Sequence, residues 1–172
     1  RPGQDSGLAR RKQESNFFIT INPNQVWSGS AIPAALEAEA KRRFQDALDH
    51  LHKNETFARI LKFGPKDDHY INDVAHDVLI PGVEWTACVE VGEQKHRMHG
   101  HVCIYMYHYS QVQINVKMVQ HEFRAEFNKG LLPTDRLFIK KLPYVNVQML
   151  KQNGWKDIMR QYLEKGMQVG LA

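Results

Sequence analysis

The sequence predicts an α+β fold in which a central antiparallel sheet of about five strands is flanked by helices. Three observations carry this expectation. Short runs rich in β-branched and aromatic residues recur along the chain, longer segments place apolar residues three and four apart, and some of the connections are short enough for hairpins. The chain has 172 residues, 42% of them hydrophobic, which suits one domain with its own core.

Residues 1–15 are mostly polar, are expected to form a flexible tail, and lack the apolar stretch of a secretory signal. Without a Met at position 1 the chain reads as a piece of something longer. The folded domain is expected to span residues 16–172. Its first strand is 16–22 (NFFITIN), stopped by Pro23. The clearest helix follows, with Ser30 as its cap and Pro33 near its first turn, where a missing N–H costs nothing. Leu36, Ala40, Phe44, Ala47, Leu48 and Leu51 make one apolar stripe along it, which should lie on the sheet.

Residues 57–63 read as a further strand, followed by a polar stretch over 64–77. Residues 83–91 (VEWTACVEV) and 99–107 (HGHVCIYMY) read as two strands joined by the polar turn GEQKHRM. A helix is expected near 117–128, where Val119, Phe123 and Phe127 fall four apart. Short strands are expected at 137–139 and 144–147, and a last helix at 155–165, stopped by Gly166.

The net charge is +4 and the pI about 9.1, but the charge is unevenly spread. Residues 117–165 carry 10 Lys/Arg against 5 Asp/Glu, whereas residues 16–116 carry 9 against 12. A basic end beside an acidic body is how a phosphate-binding surface would look, although lysines scattered over helices give the same count. No run of 18 or so apolar residues spans a bilayer. Cys88 and Cys103 both lie in strand-like runs and read as buried, reduced thiols of an intracellular protein.

Alternate residues of a strand share a face, so His99 and His101 project together, about 7 Å apart. On the neighbouring strand Glu90 shares a face with Cys88 and Thr86. If the hairpin sets Glu90 opposite His99 or His101, all three side chains converge; Glu93 has the opposite parity and joins only from the turn. Two imidazoles and a carboxylate suit Mn²⁺ or Mg²⁺, and Zn²⁺ would also bind them. Three protein ligands leave positions open for a substrate. In the last helix Tyr162 follows Ile158 by four residues, with Lys165 one turn further. A phenol there is a core residue or a nucleophile, and as a nucleophile it needs a cationic neighbour such as Lys165.

With these residues in place, the chain resembles the HUH endonucleases of rolling-circle and rolling-hairpin replication, in particular the single-tyrosine members found in small DNA viruses. FFITINPN (17–24) looks like the family's first motif, HGHV (99–102) like its metal-binding motif, and QYLEK (161–165) like its Tyr-x-x-Lys motif. VEVGE (89–93) resembles the parvoviral pattern that makes Glu90 the third metal ligand. Gly100 departs from the pattern, standing where the family has a bulky residue. The turn after Glu90 is slightly long, and residues 64–77 look like an insertion.

The resemblance implies an RRM-like HUH core with a metal held by Glu90, His99 and His101. It further implies Tyr162 as nucleophile assisted by Lys165, and a strand-nicking reaction on DNA. Implied partners are single-stranded DNA, the origin hairpin or duplex, and a helicase domain C-terminal to this chain, since no GxxxxGK[ST] occurs within it. Work in a host nucleus follows from the viral resemblance, and no membrane is involved. Lys117, Arg136, Lys140 and Lys141 are candidates for phosphate contacts. Asn22 is a candidate DNA contact, with turn formation an equal explanation. The rival readings are a nucleic-acid-binding module without catalysis, a structural metal site stiffening the hairpin, and a transposase or relaxase with the same chemistry.

Overall fold

The computed structural model describes residues 13–63, 84–91, 97–108, 112–150, 157, 161 and 168–171; for residues 13, 54, 63, 84–91, 107, 108 and 168–171 it describes the backbone alone. Strand β1 (Gln13–Asn22) opens the fold, so the strand takes in the last residues of the expected tail. Then come α1 (Ala34–His52), α2 (Asn54–Ile60), β2 (Leu61–Phe63), β3 (Glu84–Val91) and β4 (Met98–His108). The chain continues through β5 (Val112–Ile114), α3 (Val116–Phe127), β6 (Tyr144–Leu150) and β7 (Gln168–Leu171).

The architecture is α+β, with an antiparallel sheet and helices. At its centre β4 pairs antiparallel with β1 on one side and β3 on the other. Outside these, β6 pairs with β1 and β7 with β3. A separate short pair joins β2 to β5.

The core explains why these segments adopt these elements. Phe17, Ile19 and Ile21 of β1 lie in register with Ile104, Val102 and Gly100 of β4 and, with Met98 and Met106, build one apolar face. The α1 stripe Ala40, Phe44, Ala47, Leu48 and Leu51 and the α3 stripe Val119, Phe123 and Phe127 are buried in the same cluster. Its centre is aromatic: Trp27 stacks on Phe127 with centroids 4.6 Å apart, and Phe44 meets Phe123 edge-on at 4.8 Å. Between α1 and α3, His50 faces Glu122 at 3.0 Å and Glu126 at 3.7 Å. Arg43 donates to the carbonyls of Phe127 and Lys129 at 2.9 and 2.7 Å, which satisfies groups that the end of α3 would otherwise leave open.

Three expectations are corrected. Ser30 does not cap α1; it lies in a short 3₁₀ turn (Gly29–Ala31), and Pro33 is the N-cap residue. Ile32 precedes that proline and is extended at φ −139°, ψ 156°, the conformation a following proline imposes, so no helix runs through it. Residues 57–60 belong to α2 rather than to a strand, with Phe57 and Ile60 buried at helical spacing, and strand is confined to Leu61–Phe63. The helix starts where the Phe57 N–H donates to the Lys53 carbonyl at 2.7 Å. Residues 137–139 are not a strand: Leu137 and Ile139 are buried, but Ile139 is hydrogen-bonded by a side chain. The Asn128 amide donates to the Ile139 carbonyl at 2.9 Å and accepts from its N–H at 2.8 Å.

Asn128 is one of a series. Gln120, Arg124 and Asn128, four residues apart on α3, donate to the carbonyls of Pro143 (2.8 Å), Lys140 (3.3 Å) and Ile139 (2.9 Å). One stripe of the helix thereby fixes the backbone of the loop leading into β6. At its other end α3 is capped by Asn115, whose side chain accepts from the Met118 N–H at 3.3 Å. The expected insertion at 64–77 and the last helix at 155–165 lie outside the described residues, apart from Asp157 and Gln161, both helical and exposed. Among the described residues no helix is long and apolar enough to cross a membrane.

Candidate metal centre

The register of the β3–β4 hairpin selects between the two pairings that strand parity left open. Glu90 pairs with His99, and Cys88 with His101. Directly opposed residues of an antiparallel pair point to one face, so the backbone brings Glu90, His99 and His101 to a common face. That face is the reverse of the one that α1 and α3 cover, since Gly100 and Val102 point into the core. Thr20 of β1 pairs with His101 from the other side.

His101 is 5% exposed, and its ring is held from three directions. The Thr20 hydroxyl lies 3.1 Å from Nδ1. The Phe18 ring stacks on the imidazole, with centroids 5.0 Å apart and planes within 11°. The His99 ring stands perpendicular to it, at 89° and a centroid distance of 5.0 Å. A histidine held at Nδ1 by an oxygen presents Nε2 to a metal, and this outer interaction fixes the orientation of a ligating ring. His99 and His101 thus set two imidazole rings side by side on one face, and in register with His99 lies Glu90. Its side chain lies outside the described residues, as do Glu93, Tyr162 and Lys165. Among the described residues no group of three or more His, Cys, Asp or Glu is disposed around a common metal position. Cys103 is buried.

The loop after β1 is tied to neighbouring segments. Val26, after β1, bridges to Arg97, just before β4, and the Gln25 amide donates to the Phe138 carbonyl at 3.0 Å. Asn22 accepts from the Asn24 N–H at 2.8 Å, closing a turn in which Asn24 takes a positive φ of 59°; the turn-forming role of Asn22 is thus visible.

The basic candidates separate. Lys140 and Lys141 are exposed on the loop clamped by α3. Arg136 is exposed too, but its guanidinium donates to the Ala31 carbonyl and serves the loop. Lys117 is exposed in the first turn of α3, the helix that covers the opposite side of the sheet.

Sequence reasoning missed Thr20 and Phe18. The alternation was there to find them: Phe18, Thr20 and Asn22 share the face opposite Phe17, Ile19 and Ile21.

Compared with models of known protein families, with curated proteins and with solved structures, the chain matches none.

Proposed function

We propose that this chain is a metal-dependent, site-specific single-stranded DNA nickase of the HUH type, the DNA-cutting domain of a replication initiator. The observation that carries the reading is the pairing of Glu90 with His99 beside a His101 whose ring is fixed by Thr20, Phe18 and His99. The finer fold that belongs to it is an RRM-like HUH core of about five strands. Its partners on this reading are an origin hairpin or duplex and a helicase domain, in the nucleus of a host cell.

Mn²⁺ or Mg²⁺ held by Glu90, His99 and His101 would supply positive charge against the non-bridging oxygens of the scissile phosphate. Tyr162 is the nucleophile. Its phenolic oxygen forms a bond to phosphorus, the bond from phosphorus to the 3′-oxygen breaks, and that oxygen takes a proton as the phenol loses one. The products are a free 3′-hydroxyl and a 5′-phosphotyrosine, and the retained ester lets the reaction run backwards. A phenol with an ordinary pKa near 10 is mostly protonated at neutral pH, so Lys165 stabilises the developing phenolate.

The test is incubation with a labelled single-stranded oligonucleotide pool and Mn²⁺, run on a denaturing gel with and without EDTA. The expected result is an EDTA-sensitive band shifted by one covalently attached fragment, absent from Tyr162→Phe. An adduct that persists in Tyr162→Phe removes Tyr162 from the mechanism. Binding without an adduct, across sequences and metals, leaves a nucleic-acid-binding module without catalysis.

A further inference from the structure

Taking its ligand class from the nickase reading, we infer that β6 and the loop before it form a subsite for single-stranded DNA, in which Tyr144 stacks on one base. Tyr144 pairs with Asn22, Asn146 with Thr20 and Gln148 with Phe18. Because Thr20 pairs in turn with His101, the Tyr144, Asn146 and Gln148 side chains lie on the same face as the histidines. Thr20 pairs with His101 and Ile21 with Gly100, so Asn22 falls in line with His99, and Tyr144 stands two strands away from it, roughly 10 Å.

Tyr144 is 59% exposed, although it begins a strand whose next residue, Val145, is buried. A large exposed aromatic on a polar sheet face, flanked by carboxamides, offers a π-surface to a base and hydrogen-bonding groups to its edge. The charge for the backbone stands immediately upstream, in exposed Lys140 and Lys141. Their loop is held in place by Gln120, Arg124 and Asn128 through the carbonyls of Pro143, Lys140 and Ile139. A surface fixed before its ligand arrives loses less entropy on binding. The ligand is single-stranded because a base within a duplex already has both its faces stacked.

The test measures binding of the whole chain by fluorescence anisotropy in EDTA, so that no strand is cut. The probes are a labelled mixed-sequence single-stranded DNA, its duplex, the same sequence as RNA, and a DNA series in which one abasic position is walked along the strand. Tyr144→Ala is expected to weaken single-strand binding on the order of ten-fold, the usual scale for one stacked base, while Tyr144→Phe and Tyr144→Trp stay near wild type. At one position the abasic probe should cost the wild type a similar factor and cost Tyr144→Ala nothing more. Replacing Lys140 and Lys141 with Gln should lower the slope of log affinity against log salt by about 0.7 for each phosphate that the protein no longer neutralises.

Affinity of Tyr144→Ala within two-fold of wild type, equal abasic losses in both proteins, or tighter binding of the RNA or the duplex overturns the inference. Cutting with Tyr144-independent binding removes the subsite and leaves the nickase. Tyr144-dependent binding without an adduct keeps the subsite and removes the nickase.

Discussion

Gly100 lies directly beneath the ring of Phe44, and this close approach decides what can stand between His99 and His101. A Cβ at position 100 would overlap the Phe44 Cε1 atom, lie 3.1 Å from Cζ and 3.4 Å from the Leu48 Cδ1 atom. Phe44 cannot easily swing aside, since it is fully buried and packed edge-on against Trp27, Phe123 and Phe127. The bulky residue of the HUH pattern has no room here because α1 already fills the space.

Gly100→Ala should therefore destabilise the fold by about 1–3 kcal/mol, the range for overpacking a core. An added methyl in a strand that fits without clash has the opposite sign, a gain of about 0.5–1 kcal/mol. Urea denaturation distinguishes the two. Adding Phe44→Leu should recover part of the loss, so that the double variant is more stable than the sum of the singles. A stabilised Gly100→Ala would mean that the close approach is absent.

Thr20→Val removes the hydroxyl from the His101 Nδ1 atom and keeps the shape. Mn²⁺ affinity measured by isothermal titration should fall by about 10- to 100-fold, as it does when the partner of a ligating histidine is removed. Thr20→Ser should restore it. Unchanged affinity in Thr20→Val would show that the hydroxyl does not position the ring.

Asn128→Ala leaves the N–H and carbonyl of the buried Ile139 without their side-chain partner. Unsatisfied buried groups cost about 1–3 kcal/mol, which a shift in the urea midpoint at constant slope would report. Asn128→Asp keeps the acceptor for the N–H but faces the carbonyl with a negative charge, and should restore little of the stability.

Burial lowers the pKa of His52, partly offset by the Asp49 carboxylate, which raises it. The folded state thus prefers the neutral ring, and between the folded pKa and the ordinary value near 6.5 the unfolded chain binds more protons. This contribution to stability is complete above about pH 6.5 and is lost as the pH falls toward the folded value. His52→Gln should flatten that part of the stability profile; a profile identical to wild type would assign the slope to other groups.

Much of the architecture is local in origin and was legible for that reason. The α1 and α3 stripes and the β3 and β4 runs lie close to where periodicity puts them, because each buries a continuous face. What escaped depends on distant partners. Val112–Ile114 is a strand because it pairs with Leu61–Phe63, and nothing near residue 112 announces that. Residues 137–139 have the composition of a strand but meet the Asn128 side chain instead of a neighbouring backbone. At the site, parity put His99, His101 and Glu90 within reach of one another, but the choice of His99 as the partner of Glu90 depends on the path of the turn. Thr20 and Phe18 meet His101 across a strand pair that joins residues more than eighty positions apart.

The stripe of Gln120, Arg124 and Asn128 makes α3 a beam with two loads. Its inner edge carries Val119, Phe123 and Phe127 in the core, and its outer edge carries the loop that presents Lys140, Lys141 and Tyr144. A small roll of the helix, of the kind a repacked core produces, would tilt that whole surface as one piece. Substitutions at Phe123, which never meets solvent, should then register in how the exposed edge of the sheet grips a ligand.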